Sequence, residues 1–144
     1  MSIVVDFFAA PDDSAAASVL ETGSVRGFAS LPLGNFDPEE AVVEWESLLT
    51  GGSFEELAEA GEPRVVAGAD HGEHVVFALS PRLSAALAGA EPSRLWEVAV
   101  AWAERRAADG EVIDPDVARA IVDDVAALVG EAGRRGEGVY CRVG

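Results

Sequence analysis

Two histidines and two carboxylates lie within the five residues Asp70-His71-Gly72-Glu73-His74, and the chain has no other histidine. Imidazole and carboxylate groups are ligands for zinc and other transition metals. His71 and His74 are therefore candidate metal ligands for a small metal-dependent enzyme, with a further ligand from a distant Asp, a distant Glu or Cys141. The two histidines are three apart across a glycine turn, whereas helical metal-binding pairs are four apart. We therefore favour a solvated hairpin turn in which Asp and Gly serve the backbone.

Cys141 is the single cysteine, so the chain cannot form an internal disulfide, which fits a cytoplasmic location. A nucleophilic cysteine needs a histidine base and positive surroundings. The adjacent Arg142 could lower the pKa of the thiol, but alternation along a strand sends the two side chains to opposite faces. We predict a packed, unreactive thiol.

Adjacent carboxylates occur repeatedly, as in Glu39-Glu40, Glu55-Glu56 and Asp123-Asp124. General acid–base catalysis needs one carboxyl with a raised pKa in a pocket. Neighbouring side chains on a helix diverge by about 100°, so adjacency does not predict such a pair. The sequence also has no glycine-rich phosphate loop or hydrolase signature. It names no catalytic residue and no cofactor, and we lean against an enzyme.

The charge distribution is the most informative feature of the sequence. The formal net charge is −16, and residues 37–62 contain nine acids and no base. Such a chain lacks the cations that bind nucleic acid or anionic membrane surfaces, and we expect neither partner. An acidic surface can instead steer a basic protein toward it, although it can also serve solubility alone. The candidate partner-binding residues are Glu39, Glu40, Glu44, Glu46, Glu55, Glu56 and Glu59.

Start and stop signals place these acids on helices. Asp37-Pro38-Glu39-Glu40 combines a capping acid, a proline at the first helical position and a glutamate at the third. This helix should run to about Thr50 and end at Gly51. Its apolar side carries Ala41 and Trp45, and Glu46 lies around the opposite side. Glu40 and Glu44 are four apart, a repulsive pair with no compensating base nearby in the sequence.

Similar signals predict the remaining elements. Apolar β-branched runs predict strands, and capping acids or serines followed by helical periodicity predict helices. The capping residues should be Asp12 or Asp13, Ser53, Ser80 and Asp114. We expect strands over 2–8, 64–67, 74–79 and 138–143, and helices over 14–21, 53–60, 81–88 and 93–108. A further helix should begin at Asp114-Pro115-Asp116, with apolar residues at helical spacing from Val117 to Leu128. Trp45 and Trp102 should be core residues. Trp96, one residue off the apolar stripe, should pack on a second face or else mark a contact surface, and we favour a core placement.

The order strand, helices, hairpin, helices, strand predicts an α+β fold. We expect residues 1–144 to form a single domain. A small, mostly antiparallel sheet of N-terminal strand, central hairpin and C-terminal strand should pack against several amphipathic helices.

Three segments resemble one known family. They are Trp45-Glu46-Ser47-Leu48-Leu49-Thr50-Gly51, then Val75-Val76-Phe77-Ala78-Leu79-Ser80-Pro81, and a long C-terminal helix running into Gly138-Val139-Tyr140. Their order is similar to that of the YfbM-like family of small bacterial proteins, over roughly residues 37–144. The resemblance implies an α+β domain. It carries no reaction and no catalytic residues.

Three functional hypotheses follow. The first is a non-enzymatic module that docks a basic protein partner through the acidic helices of residues 37–62, as an immunity protein neutralises a basic toxin. The second is the metal-dependent enzyme at His71 and His74. The third is a structural domain without chemistry. The sequence does not predict an oligomeric state.

Overall fold

The computed structural model describes residues 4–34, 36–68 and 74–144. Its strands are β1 (Val5–Ala10), β2 (Ser30–Leu33), β3 (Arg64–Gly68), β4 (Val75–Ala78) and β5 (Gly138–Val143). Its helices are α1 (Asp13–Thr22), α2 (Pro38–Thr50), α3 (Phe54–Glu59), α4 (Pro81–Gly89), α5 (Pro92–Ala108) and α6 (Pro115–Arg134).

The strands form one antiparallel sheet in the order β2-β1-β5-β4-β3. The predicted α+β fold with an antiparallel sheet is confirmed. The strand β2 was not predicted, because it is short and contains Pro32, and a proline argues against a strand in the interior of a sheet. It is an edge strand, in which Pro32 lies opposite Asp6 of β1.

Both faces of the sheet are covered. Helices α2, α4, α5 and α6 lie on one face and share a core with Phe7 of β1, Phe77 of β4 and Cys141 of β5. Helix α1 lies on the other face, where it packs on Phe8, Val76 and Tyr140. A strand buried on both faces is a continuous apolar run, which is the pattern that identified β1.

The predicted capping residues act as helix caps. Asp12, Asp37, Ser53, Ser80 and Asp114 each accept a hydrogen bond from a backbone N–H in the first turn of α1, α2, α3, α4 and α6. Each satisfies donors that have no partner within the helix. Helix α2 ends at Gly51, whose φ of 83° suits glycine.

An aromatic cluster fills the centre of the helical face. The indoles of Trp45 on α2 and Trp102 on α5 meet edge to face with ring centroids 5.2 Å apart, and both are fully buried. Phe36 packs against both rings. The prediction that Trp45 and Trp102 are core residues is confirmed. The core placement favoured for Trp96 is wrong, because this side chain on α5 is 49% exposed.

The predicted hairpin pairs β3 with β4, with a register shift between Val65 and Ala67. The turn predicted between these strands falls on residues that lie outside the described part of the chain, apart from Gly68 and His74.

Candidate functional site

The acidic residues of helices α2 and α3 lie in three different environments. Glu55, Glu56 and Glu59 on α3 are exposed, as an acidic docking surface requires. Glu39 and Glu40, in the first turn of α2, are half-buried. Five of the seven glutamates predicted to bind a partner thus lie at or near the surface.

Glu44 and Glu46 are buried, so the prediction that they belong to the exposed surface is wrong. Helix α2 packs against both α4 and α5, so it is covered on more than one side. A helical wheel with a single apolar stripe cannot anticipate a second contact face. Each of these carboxyls lies in a polar cluster of its own.

Glu44 lies in a cluster centred on Arg106 of α5, which we call the Arg106 cluster. The Nη2 atom of Arg106 is 2.5 Å from a carboxylate oxygen of Glu44, 2.9 Å from one of Glu40 and 2.8 Å from one of Asp109. The carboxylate of Glu111 is 3.9 Å from Nη1. The Arg106 cluster consists of Arg106, Glu40, Glu44, Asp109 and Glu111.

Arg106 therefore lies between Glu40 and Glu44, the pair predicted to repel one another without compensation. That prediction is wrong, because the compensating cation comes from α5, more than sixty residues away in sequence. The Arg106 side chain is only 8% exposed, and its charge is close to the last turn of α5, where a helix favours cations.

The donors of Arg106 do not match its acceptors. An Nη2 group has two N–H bonds, but three carboxylates lie within ion-pair distance of this one atom. The Nε atom of Arg106 and the Oε2 atom of Glu44 are buried and have no hydrogen-bond partner in the described structure. The Arg106 cluster thus has more negative charge, and more acceptor atoms, than its one guanidinium satisfies.

The protonation of Glu44 follows from this environment. Burial raises the pKa of Glu44 from 4.5 to about 7, Arg106 opposes the rise, and the Glu40 carboxylate adds to it. A pKa near 7 leaves Glu44 partly protonated at neutral pH, whereas a surface glutamate with an ordinary pKa is ionised there.

Glu46 belongs to a second cluster, at the start of α4. The hydroxyl of Ser80 donates a short hydrogen bond to the Glu46 carboxylate and accepts one from the backbone N–H of Leu83, at 3.0 Å. Burial raises the pKa of the nearby Glu62, and the Glu46 carboxylate contributes to the rise. Glu46 and Ser80 are both buried, and the hydrogen bond between them connects α2 to α4.

Of the predicted metal ligands, the structure describes only His74. His71 lies outside the described residues. His74 is exposed and lines a groove of about 370 Å³ with Arg142 and Gly144. Within residues 4–34, 36–68 and 74–144, no three His, Cys, Asp or Glu side chains are placed to hold a metal ion.

A larger groove, of about 390 Å³, lies between α4, α6 and the ends of β4 and β5. Its walls are mostly apolar, and the polar side chains among them are Arg64, Ser84, Glu137 and Tyr140. Arg64 and Tyr140 are both bound to Asp13: Nη1 of Arg64 is 2.7 Å from one carboxylate oxygen, and the phenol donates to the other at 2.8 Å. Their polar groups are thereby directed at Asp13 and connect β3 and β5 to α1.

The thiol of Cys141 is fully buried, and burial raises its pKa well above the usual value. It faces the helical core, whereas its neighbour Arg142 lies 3.6 Å from Asp6 on β1. The two side chains lie on opposite faces, as alternation predicts, and the environment of Cys141 is that of a packed thiol.

Sequence reasoning missed Arg106, although a signal for it was present. The apolar stripe of α5 runs through Leu95, Ala99 and Trp102, and a further step of four residues reaches Arg106. A cation on the buried stripe of a helix requires a carboxylate partner. Nothing in the sequence identifies Glu44 as that partner.

Comparison with family models, with curated proteins and with solved structures gives no match to this chain. The resemblance to the YfbM-like family therefore stays a prediction. In the part of the chain that the structure describes, no helix has the length and apolarity that crossing a membrane requires.

Proposed function

We propose that this protein is a non-enzymatic binding module that docks a basic protein partner through α2, α3 and the adjoining Arg106 cluster. The observation that carries the proposal is the surplus of carboxylates around Arg106. A surplus that the protein's own cations leave uncompensated is complementary to a cationic surface. Neutralisation of a basic toxin by an immunity protein is one role of this kind.

The composition of the surface agrees with this proposal. Glu55, Glu56 and Glu59 are exposed on a short helix, and residues 37–62 contain no Lys or Arg. A surface with one sign of charge accelerates encounter with a basic protein and makes the association rate fall as salt is added. Glu44 and Glu46 are buried, so the direct contacts would come from the exposed and half-buried carboxylates around them.

A charge-matched comparison tests the proposal. One variant, Glu55→Gln/Glu56→Gln/Glu59→Gln, removes three exposed carboxylates from α3. A control variant, Asp116→Asn/Asp124→Asn/Glu131→Gln, removes three exposed carboxylates from α6. Both lower the negative charge equally, so a difference between them reports the location of the acids rather than their number.

Each protein is used as bait in a native lysate of the source cells, eluted with rising salt and analysed by mass spectrometry. We expect the wild type and the α6 control to retain one basic protein in stoichiometric amount, released at moderate salt. The α3 variant should release it at lower salt or lose it. Equal retention by all three baits, or an empty elution from the wild type, would contradict the proposal.

A metal-dependent enzyme and a domain without chemistry stay as alternatives. Among the described residues, His74 has no group of candidate ligands around it, so no observation favours the enzyme. Metal analysis of protein purified without a histidine tag, with a zinc titration of the melting temperature, tests it directly.

A further inference from the structure

The Arg106 cluster has an unmet requirement for a cation. It contains four carboxylates and one guanidinium, a formal charge of −3 when all five groups are ionised. Nη2 contacts three carboxylates with two N–H bonds, and one buried oxygen of Glu44 has no partner in the described structure. Buried acceptors without donors are costly, so an added cation or a proton would stabilise the cluster.

We propose that the Arg106 cluster is the anchoring subsite for one cationic side chain of the basic partner, and that Glu44 releases a proton to solvent as that side chain arrives. This inference rests on the proposed function and adds to it the point of attachment and the proton linkage.

The side chains of the Arg106 cluster differ in solvent exposure. The side chains of Glu40, Asp109 and Glu111 are 35%, 64% and 53% exposed, so a cation from solvent can reach them. Glu44 and Arg106 are buried beneath them. A guanidinium has five N–H donors in a planar fork that binds carboxylates bidentately, whereas an ammonium group is a compact charge with three donors and no such fork.

The arriving cation and the proton on Glu44 compete electrostatically. The charged groups that act on Glu44 are Glu40 on its own helix, Arg105 and Arg106 on α5, and Asp109 just beyond α5. Helices α3 and α4 also pack on α2, and their charged residues are exposed: Glu55, Glu56 and Glu59 on α3, and Arg82 on α4. A further positive charge among the outer carboxylates stabilises ionised Glu44, so binding expels its proton.

Capped hexa-arginine is a defined probe, with hexa-lysine and the neutral hexa-citrulline as comparisons. Isothermal titration near pH 7 in buffers of different ionisation enthalpy counts the protons released. For the wild type we expect binding of hexa-arginine, weaker binding of hexa-lysine and none of hexa-citrulline. A measurable fraction of one proton should be released, and affinity should rise from pH 6 to pH 8 by at most about tenfold per unit, the limit for one linked proton.

Two variants separate the parts of the inference. Glu44→Gln should keep the binding but release fewer protons than the wild type. Both proteins contain His71 and His74, so the difference in proton release between them is the contribution of Glu44. Glu40→Gln/Asp109→Asn/Glu111→Gln should weaken hexa-arginine binding by about fivefold to tenfold, since three part-exposed ion pairs are removed. Circular dichroism confirms that each variant is folded.

The outcomes distinguish this inference from the function on which it rests. If the wild type binds no cationic peptide, the proposed function fails together with the subsite. If Glu55→Gln/Glu56→Gln/Glu59→Gln abolishes binding while the triple variant of the Arg106 cluster binds like the wild type, the docking function stands and the anchoring subsite is wrong. Identical proton release by the wild type and Glu44→Gln overturns the proton linkage.

Discussion

Arg106 on α5 and Glu44 on α2 form a buried ion pair, with Nη2 of Arg106 2.5 Å from a carboxylate oxygen of Glu44. The pair joins two helices that sequence separates by the whole of α3, β3, β4 and α4. It is incomplete on both sides, because Nε of Arg106 and Oε2 of Glu44 have no partner in the described structure. The contribution of this ion pair to the free energy of unfolding therefore depends on the presence of both residues and on the pH.

Replacing Arg106 by Met should destabilise the protein by about 3–5 kcal/mol at pH 8, because it leaves the buried Glu44 carboxylate without its cation. The loss should be smaller at pH 5.5, where Glu44 is mostly protonated. The exposed neighbour provides the control: Arg105→Met should change the free energy of unfolding by less than about 0.5 kcal/mol. Urea unfolding at the two pH values measures both, and equal losses for the two variants would contradict the buried pair.

Glu44→Gln should flatten the pH dependence of stability. The folded-state pKa of Glu44, about 7, is above its ordinary value of 4.5, so its stabilising contribution is complete below pH 4.5 and is lost as pH rises through 7. Between these values the wild type should lose up to about 1.4 kcal/mol per pH unit from this one group. The variant should equal the wild type near pH 4.5 and exceed its stability at pH 8. Parallel curves from pH 4.5 to pH 8 would show that Glu44 titrates normally.

Ser80→Ala should cost more than the loss of an ordinary helix cap. It removes the cap of α4 and also the donor to the buried Glu46 carboxylate, for a total of about 2–4 kcal/mol. Ser53→Ala is the matched control, because Ser53 caps α3 at an exposed site, and its loss should be about 1 kcal/mol. Chemical denaturation measures both, and a Ser80→Ala loss no larger than that of Ser53→Ala would mean that Glu46 gains little from the hydroxyl.

The single tyrosine permits a direct test of the contact between β5 and α1. Burial, and then the hydrogen bond to the Asp13 carboxylate, raise the pKa of Tyr140 from 10.0 to about 12. Tyrosinate absorbance should therefore appear only near pH 12 while the fold persists, and Asp13→Asn should lower the midpoint. Because the folded-state pKa is raised, the stabilisation is present below pH 10 and lost as pH approaches 12. A wild-type midpoint near 10 in folded protein would contradict the contact.

Local signals predicted most of the fold because they depend on residues close in sequence. Asp37, Ser53, Ser80 and Asp114 cap helices wherever they precede a helical pattern, since the first-turn N–H groups need acceptors in any context. The strand β2 was missed for the opposite reason. Its pairing depends on β1, which is distant in sequence, and its Pro32 opposes the local strand signal.

The candidate site was predicted less well, because burial of a charged residue depends on tertiary partners. The exposure of Glu55, Glu56 and Glu59 follows from their position on a short surface helix. The burial of Glu44 and Glu46 does not follow from α2 alone, since it requires Arg106 on one side and Ser80 on the other. A carboxylate that joins two helices and one that faces solvent have the same appearance in a sequence.

Pro32 has a consequence for how this molecule behaves at high concentration. The Ala9 N–H bonds to the Ala29 carbonyl, and alternation along β2 then directs the backbone of Leu31 toward β1 and that of residue 32 away from it. At that outward position proline has no N–H to donate, so a strand from another molecule would lack one of the backbone hydrogen bonds needed to pair with this edge. The β2 edge is therefore a poor template for aggregation, and Pro32→Val should shorten the lag time of fibril formation in agitated, concentrated samples.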